Sequence, residues 1–80
     1  MIAVEYDELA CSVTVTGRPA ALRALARRLE QLAERAELGR EEHDHLYSEE
    51  WAGADLATMS ADPGSRGTVV HHVKLNGLPA

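Results

Sequence analysis

From Pro19 to Leu38 apolar residues recur in steps of three and four: Leu22, Leu25, Leu29, Leu32 and Ala36, flanked by Ala21, Ala26 and Ala33. This period predicts a helix over about 19–38, roughly 30 Å long, whose single apolar arc faces the core along its whole length. Pro19 suits a first helical turn, where its missing N–H would have no partner, and Gly39 suits the left-handed residue after the last turn. The charges run against the helix dipole, with Arg18, Arg23, Arg27 and Arg28 in the first half and Glu30, Glu34 and Glu37 mostly in the second. Arg23, Arg27, Glu30 and Glu34 fall opposite the leucines, which reads as a solvated face.

A period of two marks the strands. Ile2, Val4 and Tyr6 alternate with polar or small residues, and after a tight turn near Asp7-Glu8 the set Leu9, Cys11, Val13 and Val15 alternates with Ala10, Ser12, Thr14 and Thr16. Strands over about 2–6 and 9–16 follow, paired as an antiparallel hairpin with one apolar face. Cys11 falls on that face and is expected to be a buried, inert thiol, because no basic neighbour lowers its pKa. Beyond the helix, residues 43–47 read as a short strand with Leu46 facing in and His43 and His45 facing out. Residues 67–75 resume β-branched alternation, with Val69, Val73 and Leu75 on one face. Between them, 48–66 has no period but holds Trp51, Gly53 and the turn signal Asp62-Pro63-Gly64, the profile of a functional or mobile loop.

The order strand, strand, helix, strand, strand predicts one α+β domain over residues 1–80. Its expected architecture is a four-stranded, mostly antiparallel sheet with the helix on one face and the other face open. A chain of 80 residues buries only about 60% of its unfolded surface, so no second domain fits and every apolar face needs a partner. One cysteine excludes an internal disulfide and a Cys-based zinc site. No apolar run is long enough to cross a bilayer, and the acidic start (Glu5, Asp7, Glu8) lacks the order of a signal peptide, so a cytoplasmic location is expected.

Charge changes the picture more than composition does. The net charge is −5, and residues 41–62 carry Glu41, Glu42, Asp44, Glu49, Glu50, Asp55 and Asp62 with no Lys or Arg. Such a surface repels phosphate backbones and is steered towards basic partners, which disfavours nucleic acid.

Four histidines bracket the long loop. His43 and His45, two apart on a strand, share a face, whereas the adjacent His71 and His72 point to opposite faces, so at most three imidazoles could converge on a metal. Packing and hydrogen bonding are the preferred roles, with a small metal-binding or sensing module built on His43, His45, His71 and His72 as the alternative. No nucleophile elbow, phosphate loop or His-Glu-x-x-His motif is present, so neither catalysis nor a cofactor is expected. Trp51, the one tryptophan, either plugs the open end of the core or anchors a partner.

Taken together, the acidic hairpin, the Gly-x-Pro helix start, the leucine-rich helix, His43-Asp44-His45-Leu46, Ser48-Glu49-Glu50-Trp51-Ala52-Gly53 and the final Val-His-His-Val-Lys-Leu strand resemble immunity protein family 32 of bacterial polymorphic toxin systems. The resemblance covers nearly the whole chain. Its most specific part is the His-x-His-Leu run followed by Ser-x-x-Trp and a small pair, Ala52-Gly53 here where the family usually has Gly-Gly. The resemblance implies a small α+β protein that protects its producer by binding a cognate toxin, with His43, His45, Trp51 and Gly53 as the matching positions. Joined with the charge pattern, the expectation is a non-catalytic binding protein that meets a basic toxin domain through Glu49, Glu50, Trp51, Gly53, Asp55, His43 and His45.

Overall fold

The computed structural model describes residues 1–80. Five strands and one long helix form an α+β fold: β1 (Ala3–Asp7), β2 (Ser12–Thr16), α1 (Pro19–Glu37), β3 (Glu42–Tyr47), β4 (Thr68–Val69) and β5 (His72–Gly77), with a 3-10 turn at Glu49–Trp51. The expected single four-stranded sheet is instead two antiparallel sheets, one of order β2-β1-β4 and one pairing β3 with β5. The run expected as one strand over 67–75 changes sheet in its middle. Glu5 pairs with Val69 in the first sheet, whereas Tyr47 pairs with His72 in the second. The crossing breaks the alternation, so Val70, rather than Val69, joins Val73 and Leu75 against the core.

The hairpin forms with its apolar positions in register, Val4 opposite Val15 and Tyr6 opposite Val13. Its turn is longer than expected. Asp7 Oδ1 accepts from the N–H groups of Leu9 and Ala10 at 3.0 and 3.1 Å, a local turn that competes with the ladder, so β2 begins only at Ser12. Cys11 therefore lies in the turn, at φ 53° and exposed, not on the buried face.

Helix α1 begins at Pro19 and ends as expected, with Gly39 at φ 98°. Its apolar arc is not covered along its length. The helix packs mainly on β3 and β5, which buries Leu32 and Ala36, and those two residues sit against the backbone of Gly77, where a Cβ would come within 3.0 Å of the Ala36 side chain. Leu29, at 45% exposure, lines an open concavity between helix and hairpin, and Leu22 is itself 44% exposed. The buried apolar cluster is Ile2, Val4, Leu46 and Leu56. Leu56 was expected in a structureless loop, yet it is 0% exposed and bridges both Ile2 and Ser48.

Nor is the second face of β1 open. Glu5 points into the segment 60–65, and its carboxylate accepts from Ser60 Oγ (2.6 Å), Ala61 N–H (2.9 Å) and Ser65 Oγ (2.7 Å). At 8% exposure it is a buried but fully bonded acid, and the donated hydrogen bonds, first Ser60's and then Ser65's, hold its pKa below the ordinary 4.5.

Candidate functional site: an aromatic strip with an acidic end

The β3–β5 ladder opposes Tyr47 to His72 and His45 to Lys74, and alternation sends these four side chains outward while Leu46 and Val73 turn to the core. His43 and His45 share the outer face as expected, with ring centroids 5.1 Å apart. His72 stacks on Tyr47 at 4.7 Å and on His45 at 5.0 Å. Trp51, from the 3-10 turn, lies parallel to His71 at 6.3 Å and to His72 at 6.4 Å. The outcome is a continuous strip of six rings, from His43 to Trp51, with Glu49 and Glu50 exposed beside the tryptophan.

Trp51 is 57% exposed, which removes the reading in which it plugs the core. A tight local fold holds it there. Ser48 O accepts from the N–H groups of Trp51 (3.0 Å) and Gly53 (2.9 Å), and Gly53 lies so close to Tyr47 that a Cβ would overlap the Tyr47 carbonyl. Ala52, between them, takes the left-handed conformation at φ 64° that a non-glycine residue adopts only at a cost. The small pair of the family motif is thus what lets the chain turn back under the tryptophan.

The other acids are less free than the sequence suggested. Arg28 reaches from α1 to Asp44 with two parallel hydrogen bonds of 3.0 Å, to Asp55 at 2.6 Å and to the His45 carbonyl at 2.9 Å. The Arg28 hydrogen bonds hold the Asp44 pKa below its ordinary 3.8. Asp55 uses its second oxygen on the Tyr47 N–H at 3.2 Å. Both carboxylates therefore brace the site from within, and Glu49 and Glu50 form its outward charge. Arg28 was missed as a site residue, although its place three residues after Leu25 and four before Leu32 marks it as lying at the margin of the buried arc.

Two histidine contacts limit the chemistry. His45 Nδ1 and His72 Nε2 are 2.8 Å apart, a hydrogen bond in which one ring donates and the other must keep a lone pair, so the two rings cannot both be imidazolium cations. Desolvation first, then the positive forms of His72 and His43 and the charge of Lys74, lower the His45 pKa from 6.5. No three His, Cys, Asp or Glu side chains stand where they could hold a metal ion together. Ser48 Oγ lies 2.7 Å from His71 Nδ1, and His71 Nε2 lies 3.5 Å from Glu50, an arrangement with the order of a Ser-His-acid triad. Ser48 is 0% exposed, so its hydroxyl has no route to a substrate and serves to fix His71 under Trp51.

Fold and surface define a class: a small α+β domain whose outer face is a braced aromatic strip with a free acidic end. Among known families, residues 12–73, from the start of β2 into β5, match the one described as Immunity protein 32. The chain belongs to this family, and an immunity protein has a toxin as its partner. A search of curated proteins and a search of solved structures each return no match. No helix is long and apolar enough to cross a membrane.

Proposed function

We infer that the protein binds and neutralises a cognate toxin in the cytoplasm of its producer, without catalysis, by meeting a basic surface of the toxin with Trp51, Glu49 and Glu50. The observation that carries this reading is the exposed indole on a braced turn. An aromatic ring that is rigid before binding loses little conformational freedom when buried, and such residues dominate interface energies. Glu49 and Glu50 beside it supply the charge that speeds encounter with a cationic partner. His43 and His45 extend the contact along the strip, while Gly53 and Asp55 act indirectly, one by allowing the turn and the other by tying it to Arg28.

The test is a pull-down of the toxin from the source bacterium followed by binding kinetics. Glu49→Lys with Glu50→Lys should slow association, more at low salt than at high salt, and leave the melting curve unchanged. Unchanged association at low salt with an intact fold would remove the acids from the interface.

A further inference from the structure

Trp51 is held in place but left largely uncovered. His71 and His72 lie parallel to the indole at 6.3 and 6.4 Å, and much of the ring remains exposed. The two carboxylates of the same turn are short of partners as well. Glu49 enters no ion pair, and the one basic group paired with Glu50 is His71 Nε2, at a long 3.5 Å. The chain's own arginines are committed elsewhere: Arg28 to Asp44 and Asp55, Arg40 to Glu42 and Arg66 to Asp7. No Lys or Arg occurs between Arg40 and Arg66, so nothing in the turn answers the charge of Glu49 and Glu50. The strip behind the ring adds little opposing charge, because His45 and His72 cannot both be cations.

A bare aromatic face and unanswered carboxylates in one turn ask for a cation that lies flat. The guanidinium of arginine is planar, weakly hydrated and keeps its N–H donors in its own plane. With its face on an indole, its edge still reaches a carboxylate through two parallel hydrogen bonds. The ammonium of lysine is a compact, strongly hydrated point charge with no flat face, so it answers the carboxylates but not the ring. An apolar side chain would cover the ring and desolvate Glu49 and Glu50 without pairing them, which costs free energy.

We propose that Trp51, with Glu49 and Glu50 beside it, is a receptor for an arginine side chain of the partner protein, the guanidinium lying on the indole while its edge donates to the carboxylates. Resting on the reading of this turn as the toxin contact, it narrows a basic toxin surface to one exposed arginine.

Two capped tripeptides of equal charge, acetyl-Gly-Arg-Gly-amide and acetyl-Gly-Lys-Gly-amide, test it on the full chain at about 10 mM salt, where screening is weak. Trp51 is the only tryptophan, so its indole N–H gives a single, unambiguous signal in a proton–nitrogen spectrum. The arginine peptide should shift that signal saturably, with an affinity about two- to fivefold above the lysine peptide's, and its δ-methylene protons should move upfield as they enter the ring current of the indole. Trp51→Leu should level the two peptides, and Glu49→Gln with Glu50→Gln should weaken both. Equal affinities in the wild type, no upfield movement, a preference that persists in a folded Trp51→Leu protein, or binding indifferent to the loss of both carboxylates overturns the proposal. The first two readouts need no variant. Equal peptide affinities would leave Trp51 free to meet another group of the toxin, whereas a toxin indifferent to Trp51→Ala would remove the toxin contact and leave the peptide comparison to decide what the ring receives.

Discussion

Ala52 and Gly53 are neighbours with opposite requirements. Ala52 pays for a left-handed backbone with nothing around it that needs its methyl group, whereas Gly53 has no room for one. Relief of about 1–2 kcal/mol of backbone strain, less about 0.5–1 kcal/mol for the freer unfolded chain, makes Ala52→Gly neutral to mildly stabilising. Gly53→Ala should instead destabilise by about 1–3 kcal/mol, as overpacking does, and loosen Trp51. Urea melts of both variants check this, and a marked loss of stability from Ala52→Gly would contradict the backbone assignment. The presence of a small pair at this place was visible in the sequence. Which of the two was the tight one was not, because crowding against Tyr47 arises only after residues 47–56 fold back on themselves.

Among the elements, α1 shows how far periodicity reaches. Its limits and apolar arc were legible, since caps and three-four spacing are local properties. How much of the arc is covered was not, because that depends on where the sheets lie. The helix is fixed by its C-terminal half and by Arg28. Leu32→Ala should cost about 2–5 kcal/mol, a fully buried truncation. Removing Arg28 breaks its hydrogen bonds and leaves Asp44 and Asp55 facing each other, so Arg28→Ala should cost on the order of 2 kcal/mol, while the exposed Arg27→Ala stays within about 0.5 kcal/mol. Equal melts for the two arginine variants would show that the ion-pair cluster contributes nothing. The β4–β5 crossing was likewise beyond the pattern. The alternation over 67–75 reads as one strand, and only a partner for each half, β1 and then β3, reveals that the chain changes sheet.

At the scale of the whole molecule, folding sorts the carboxylates of the chain into two kinds, those bonded within and those facing out. The bonded ones, with His45, give the fold its pH dependence. His45 has a folded pKa below 6.5, so the unfolded chain takes up a proton that the native chain resists, and stability falls as pH drops from 6.5 towards that lowered value. Glu5, Asp7 and Asp44, lowered from 4.5, 3.8 and 3.8, add a second loss as pH falls below those ordinary values. Both steps have the same sign. Thermal melts should therefore show a plateau above pH 6.5 and a first decline just below it that His45→Gln removes; a melting temperature that rises on acidification through this range would contradict the His45–His72 geometry.

The aromatic strip was half legible: His43 and His45 on one face follow from alternation, but their continuation through Tyr47, His72 and Trp51 needs the β3–β5 register and the turn at Gly53. Its use by a toxin is decided by one measurement, the dissociation constant of the cognate toxin domain for Trp51→Ala against the wild type, each shown to melt alike. Loss of an exposed, braced anchor should weaken binding by about 2 kcal/mol or more, roughly thirtyfold, with no change in stability. An unchanged dissociation constant in a folded Trp51→Ala protein would place the toxin elsewhere on the molecule.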